Sequence, residues 1–209
     1  MRQALRDGAH LVRLRGQLMQ EAAPTGVGAM AAVLGAEDQL VLDVCAEAAG
    51  SQVVVPANFN SPGQIVIGGD ADAVDRAVAM LTERGIRKVV KLAVSVPSHT
   101  PLMREAANRL AEVMAGLSWH APSLPVVQNV DAKVHDGVDA IRDALVRQLY
   151  LPVRWFAALM NPTSASIVFR PRSRCGSSNI ASNNKSFRHF FNEHLKKNVF
   201  QLYHTKEEQ

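Results

Sequence analysis

The chain of 209 residues is 47% hydrophobic and 5% aromatic, which fits one medium domain with a buried core and argues against a disordered chain or a stacking surface for single-stranded nucleic acid. The net charge of +4 comes from the end of the sequence, because eight Lys or Arg and only three Asp or Glu follow Pro162. The preceding residues carry fifteen basic and sixteen acidic side chains, so their charge gives no reason to expect nucleic acid as a partner.

The first predicted element is an amphipathic helix over residues 2–23. Leu11, Leu14 and Leu18 recur there at helical spacing, and the segment PTGVG at 24–28 ends the helix.

The next part, residues 25–98, contains four runs typical of strands and two amphipathic segments typical of helices. They follow in the order strand 28–35, helix 37–50, strand 52–60, strand 63–69, helix 70–85 and strand 87–96. This order is the split βαβ pattern, so we predict a ferredoxin-like subdomain.

Three further elements are predicted after this subdomain. They are an amphipathic helix at 101–117, a buried strand in LPVVQNV at 124–130 and a helix at 137–150, with a shorter helix expected in 151–160. From about Asn161 the periodicity is lost and Ser, Asn and Arg accumulate, which is typical of a linker or an extension, although 187–204 has the pattern of a terminal helix.

No stretch approaches the roughly 20 apolar residues of a membrane-spanning helix, so we expect no membrane partner. Cys45 and Cys175 lie far apart, which disfavours a disulfide, and the cytoplasm is the expected compartment.

His189 and His194 are five residues apart, the wrong spacing for two ligands on one helical face, so we expect no metal. The sequence also contains no G-x-S-x-G elbow, no Walker loop and no G-x-G-x-x-G, and we expect no cofactor.

Five separated motifs carry more information than any one of them. In chain order they are VRLRGQLMQ, NFNSPGQIVIGG, SVPSHTPLM, VQNVD and AIRDALVRQLYLPVRW. Together they resemble the malonyl-CoA:acyl-carrier-protein transacylase family, to which the acyltransferase domains of polyketide synthases are related. The resemblance covers roughly residues 1–160 and implies malonyl-CoA and acyl carrier protein as partners.

The resemblance implies an α/β fold with three parts. Residues 1–24 and 99–160 would form an incomplete α/β-hydrolase-like body, residues 25–98 the inserted ferredoxin-like subdomain, and residues 161–209 a divergent basic tail.

His99, in VPSH, matches the histidine that serves this family as catalytic base, and an imidazole has a suitable pKa for that role. The alternative is a core histidine or one at a helix start. Gln148, in RQLY, matches the position whose chain atoms orient the histidine, with an exposed helical glutamine as the alternative.

Arg15 matches the arginine that pairs with the free carboxylate of malonyl, since a guanidinium can bind a carboxylate through two hydrogen bonds. The alternative is a solvated arginine, which is the role we assign to Arg13. Asn58 and Asn60 match a polar pair near the acyl or pantetheine path, and the alternative for them is turn formation before SPG.

The sequence also departs from the family pattern. The family's glutamine-bearing glycine turn, its Gly-His-Ser-x-Gly elbow with the nucleophile, and its Gly-Pro-Gly turn do not occur. We therefore expect malonyl transfer to be the family activity and this chain alone to be inactive. The alternatives are a non-catalytic remnant or a module that binds acyl carrier protein; a nucleic-acid binder is disfavoured because the strands lack the aromatic and basic recognition pattern.

Overall fold

A computed structural model of the chain describes residues 2–24 and 26–163. The residues beyond Thr163 lie outside the described ones. They include the predicted terminal helix at 187–204, Cys175, His189 and His194. The elements in chain order are α1 (Arg2–Ala22), β1 (Gly28–Leu34), α2 (Asp38–Ala49), β2 (Val54–Ser61), β3 (Gln64–Asp70), α3 (Ala71–Glu83), β4 (Lys88–Lys91), a 3₁₀ turn (Pro101–Met103), α4 (Arg104–Ala115), β5 (Val127–Gln128), β6 (Lys133–Val134), α5 (Val138–Tyr150) and α6 (Trp155–Met160).

The four longer strands form one antiparallel sheet in the order β2-β3-β1-β4. The strands and helices of this part follow one another as predicted from the sequence. One face of the sheet is covered by α2 and α3, because alternate strand residues such as Val33, Ile65 and Ile67 pack against Val44 and Leu81 of the helices. This cluster is the main apolar core of the described residues.

The second face of the sheet is covered by the segment that leads to His99. Thr100 is fully buried, and its methyl group lies 3.2 Å from where a Cβ on Gly68 would stand. A Cβ on Gly28 would lie 2.4 Å from the Pro97 ring, so glycine at this strand position allows the segment to approach closely.

A second apolar cluster joins α1, α4 and α5. Leu18 is buried in it, and Leu11 and Leu14 pack against it half-buried, as their helical spacing predicts. Met103 and Leu149 are fully buried at its centre, so the 3₁₀ turn and the end of α5 are held together directly beside His99.

Two strand predictions were wrong. The run at 124–130 forms only the two residues of β5, paired with β6, and Leu124 and Val126 are 70% and 47% exposed. An apolar run with a proline inside it has no long partner strand to bury it, and apolarity alone does not reveal this. The strand predicted at 87–96 ends at Lys91, after which the chain crosses the second face of the sheet.

No helix within the described ranges has both the length and the apolar character needed to cross a membrane.

Candidate active site

His99 lies in the loop between β4 and the 3₁₀ turn, with a backbone φ of +62°. Two hydrogen bonds hold it there. Its backbone N–H donates to the carbonyl of Leu149 at 3.0 Å, and its ring Nδ1 lies 2.5 Å from the carbonyl oxygen of Gln148. A positive φ is unusual for a residue with a side chain, and these two contacts to the end of α5 stabilise it.

The carbonyl of Gln148 is available because of the sequence that follows it. In a continuing helix it would accept from the N–H four residues later. That residue is Pro152, which has no N–H, and α5 ends at Tyr150. The carbonyl therefore remains free to accept from an imidazole.

This contact determines the tautomer of His99. A carbonyl oxygen only accepts, so Nδ1 carries the proton and Nε2 of the neutral ring has a free lone pair. Burial lowers the pKa of His99 from its ordinary value; the Gln148 carbonyl opposes this, and the charge of Arg15 lowers the pKa further. The ring is therefore neutral at pH 7 and can accept a proton at Nε2.

Arg15, on α1, also contacts Gln148. Its Nη2 donates to the side-chain Oε1 of Gln148 at 3.0 Å, between residues 133 positions apart in sequence. Burial lowers the pKa of Arg15. One hydrogen bond to Gln148 leaves other N–H groups of the guanidinium fork for an anionic group. Arg13, two residues away, is exposed.

Gln148 thus joins two of the residues that the sequence singled out. Its backbone oxygen contacts His99, and its side-chain oxygen contacts Arg15. The structure brings all three together although α1, the His99 loop and α5 are far apart in the chain.

Asn58 and Asn60 lie elsewhere, on β2 at the edge of the sheet. Asn58 forms an isolated parallel bridge with Val153, just beyond α5, and Phe59 N–H donates to the Val153 carbonyl at 2.8 Å. No hydrogen bond among residues 2–24 and 26–163 links either asparagine side chain to His99, Gln148 or Arg15.

Asn129 is a site residue that the sequence reasoning did not select. Its Oδ1 accepts from Nε2 of Gln148 at 3.2 Å. Asn129 lies within the motif VQNVD, which could have pointed to it, but the apolar run around it predicts a buried strand and not a polar site.

The described residues line two cavities near this polar group. The first, of about 300 Å³, contacts both Gln148 and Asn129 and is otherwise lined by Val127, Gln128, Trp155, Ala158 and Leu159. The second is an open groove of about 860 Å³ between the β2–β3 turn, the start of α2 and α6, and it includes Phe59 and Arg154. The smaller cavity is the one adjoining the polar group around Gln148.

The part of the chain that the structure describes contains no group of three or more His, Cys, Asp and Glu side chains that could hold a metal ion. Its one described cysteine, Cys45, is buried in the sheet core, and burial raises the pKa of its thiol to about 12. Neither observation adds a nucleophile or a metal to the site.

Comparison with known proteins confirms the resemblance. The profile of the acyl transferase domain family matches residues 3–168. The malonyl CoA-acyl carrier protein transacylase of Escherichia coli K12 is 54% identical over 149 residues, which is 71% of this chain and 48% of that protein. The chain thus spans about half the length of the curated relatives it matches.

Solved structures of malonyl transacylases are also similar to this chain. The malonyl-CoA:acyl carrier protein transacylase of Xanthomonas oryzae pv. oryzae is 82% identical with a TM-score of 0.72, over 73% of this chain and 49% of that one. A malonyl transacylase in complex with a type II PKS acyl-carrier protein is 51% identical with a TM-score of 0.69, over 70% of this chain and 47% of that one. With a family profile matched over most of its length, this chain belongs to the acyl transferase domain family.

Proposed function

We propose that this chain carries the base and the carboxylate-binding residue of a malonyl-transfer site, which moves malonyl from coenzyme A to the thiol of acyl carrier protein in fatty acid biosynthesis. The observation that carries the proposal is the double contact of Gln148, with a neutral imidazole on one side and a guanidinium on the other. The names of the similar proteins support the substrate and the carrier.

In this proposal His99 is the base. The attacking hydroxyl is that of the family's elbow serine, which this sequence does not contain. Nε2 takes the proton of this hydroxyl as its oxygen bonds to the malonyl carbonyl carbon, and the imidazolium then protonates the departing sulfur of coenzyme A. In the second half-reaction His99 takes the proton of the carrier thiol, whose sulfur attacks the new ester, and returns that proton to the alkoxide. The backbone of Gln148 orients the ring in both steps.

Arg15 makes the site prefer malonyl over acetyl. Malonyl carries a carboxylate that acetyl lacks, and the guanidinium can bind it with charge-assisted hydrogen bonds. Burial is the main cause that lowers the pKa of His99, and the charge of Arg15 lowers it further, so the base is neutral at pH 7.

Three finer assignments complete the proposal. The sheet order β4-β1-β3-β2 with two helices on one face supports a ferredoxin-like subdomain at 25–98, inserted in an α/β-hydrolase-like body of residues 1–24 and 99–160. Asn58 and Asn60 would line the acyl or pantetheine path from the edge of that subdomain, and the cytoplasm is the compartment that fits this activity.

The first test is calorimetric titration of the chain with malonyl-CoA and with acetyl-CoA, which lacks the carboxylate. We expect malonyl-CoA to bind about tenfold or more tightly, since hydrogen bonds to charged groups contribute about 1.5–3 kcal/mol. Arg15→Met should remove this preference. Arg13→Met, the same change two positions away at an exposed site, should keep it. Equal binding of the two thioesters by the unaltered chain would contradict the proposal.

Intact-protein mass after brief incubation with malonyl-CoA addresses the transfer itself. Because the sequence contains no G-x-S-x-G elbow, we expect no malonyl adduct on this chain alone. An adduct that disappears in His99→Ala and on addition of acyl carrier protein would show that another residue of this chain is the nucleophile. Binding of the carrier protein without any preference for malonyl-CoA would favour the alternative, a non-catalytic carrier-binding module.

A further inference from the structure

We propose that Asn129 is a positioning residue for the carboxylate-binding arginine. Its side-chain oxygen fixes the orientation of the Gln148 amide, and the amide in turn holds the Arg15 guanidinium. The consequence for malonyl selection rests on the proposed function, but the relay itself does not.

The direction of the relay follows from what each group can donate. A guanidinium has only donors, so the atom of Gln148 that faces Arg15 must be Oε1. The amide nitrogen Nε2 then points the other way and needs an acceptor. Asn129 Oδ1 lies 3.2 Å from it and supplies one.

Hydrogen bonds hold the backbone of Asn129 and the hairpin that follows it. Its backbone carbonyl accepts from the N–H of Arg154 at 2.7 Å. Two residues later, the Asp131 carboxylate accepts from Arg147 at 3.1 Å and contacts His135 Nε2 at 3.0 Å. The β5–β6 hairpin is therefore attached to α5 at Arg147 and Gln148, two successive residues.

Without this acceptor the Gln148 amide is held at one end only, by Arg15, and its NH₂ group has no described acceptor. Rotation of the amide by half a turn would bring its NH₂ group to the guanidinium, where two sets of donors face each other. Arg15 would then lack its only described side-chain acceptor. His99 should be unaffected, because its partner is the backbone of Gln148 and does not rotate with the side chain.

The test compares four variants of the full chain. Asn129→Ala and Asn129→Leu remove the acceptor, and the leucine keeps the side-chain size in case the alanine variant is unstable. Asn129→Asp restores an acceptor. Asn161→Ala is the matched control, since Asn161 also tethers this hairpin, through Ala132 O at 3.0 Å, without contacting Gln148.

The primary measurement needs no substrate. In ¹H–¹⁵N spectra we expect the Gln148 side-chain NH₂ and Arg15 Nε–H signals to shift and exchange faster in Asn129→Ala and Asn129→Leu. The signals should return towards their original state in Asn129→Asp and stay unchanged in Asn161→Ala. The His99 ring signals should remain those of the Nδ1–H tautomer throughout.

The second measurement is the dissociation constant of acetyl-CoA divided by that of malonyl-CoA, which should fall about fivefold in the variants without an acceptor. Unchanged Gln148 and Arg15 signals in Asn129→Leu would overturn the relay, and so would the same change in Asn161→Ala, since it would indicate general loosening of the hairpin. A chain that shows the spectral changes but no preference for malonyl-CoA would refute the proposed function and leave the relay standing.

Discussion

The four-stranded sheet with α2 and α3 and the helical part that carries His99 are held together by different means. In the sheet part, buried aliphatic side chains alternate along strands whose hydrogen bonds follow a regular register. In the helical part an apolar cluster packs α1, α4 and α5 together, and polar contacts between residues distant in sequence then orient the side chains of the site. His99 meets Gln148 across 49 positions, and Arg15 meets it across 133.

This difference separates stability from chemistry. Apolar packing in the sheet contributes free energy of folding without placing a reactive group, whereas the hydrogen bonds at Gln148 orient the His99 ring and the Arg15 guanidinium. The segment 95–100 connects the two parts, because it lies on the second face of the sheet and ends at the site. Substitutions should therefore affect the two properties separately.

The largest effect is expected in the sheet. A Cβ added at Gly69 would lie 1.9 Å from the carbonyl oxygen of Val53, which also accepts from Asp70 N–H at 2.8 Å. The backbone must move, so Gly69→Ala should lower the free energy of unfolding by about 4 kcal/mol or more. Urea denaturation followed by circular dichroism measures this.

The matched control is Gly8→Ala in α1, where the described residues place no atom within 4 Å of the added Cβ apart from the adjacent residues and the backbone of the same helix. This change should stabilise the chain by up to about 1 kcal/mol, because alanine is the better helix former. A Gly69→Ala variant within 1 kcal/mol of the unaltered chain would show that the β2–β3 contact is not rigid.

The next largest effect is expected from the same substitution, Leu→Ala, made in each of the two apolar clusters. Leu81 and Leu149 are both fully buried, one in each cluster. Leu→Ala should cost about 3 kcal/mol at either site. Only Leu149→Ala should also change the His99 ring signals in NMR, because the Leu149 carbonyl accepts from the His99 backbone. Equal disturbance of His99 by both variants would mean that the two parts are not separable.

A smaller effect separates the two roles of Gln148. Gln148→Ala removes the amide that holds Arg15 and keeps the backbone carbonyl that holds His99. In the proposed function Arg15 binds the malonyl carboxylate, so affinity for malonyl-CoA should fall about tenfold, or about 1.4 kcal/mol, with the Nδ1–H tautomer of His99 retained. Gln39→Ala, an exposed helical glutamine of α2, is the control and should leave both unchanged. Loss of the tautomer in Gln148→Ala would show that the side chain is needed for both roles.

The smallest effect is a change in proton affinity. Because the charge of Arg15 lowers the pKa of His99, Arg15→Met should raise it, while burial should still hold it below the ordinary value of 6.5. Titration of the His99 ring signals by NMR measures both pKa values. A lower His99 pKa in Arg15→Met would contradict the electrostatic account.

The lowered pKa of His99 also makes the stability of the fold depend on pH. With the folded pKa lowered, the unfolded chain binds the proton first as the pH falls from 6.5, so the free energy of unfolding decreases with acidification until the folded pKa is passed. His99→Asn should flatten this part of the stability profile.

Several elements could be predicted from local patterns. Leu11, Leu14 and Leu18 predict α1 because the helical period is a property of adjacent residues. The strands and helices of 25–98 were predicted in order for the same reason, since each is a short run with its own turn residues. The run at 124–130 shows the limit, because whether an apolar run pairs as a strand depends on a partner that is distant in sequence.

What the sequence by itself determined is therefore the order of elements, the family and one feature of the site. Pro152 leaves the carbonyl of Gln148 without a helical partner, and this is local. The resemblance also implied that Gln148 orients His99. Only the tertiary structure decided which amide atom of Gln148 faces Arg15, and that Asn129 completes the chain of hydrogen bonds. The physical reason is that helical and strand patterns repeat over a few residues, whereas a polar contact across 133 positions depends on how whole elements pack.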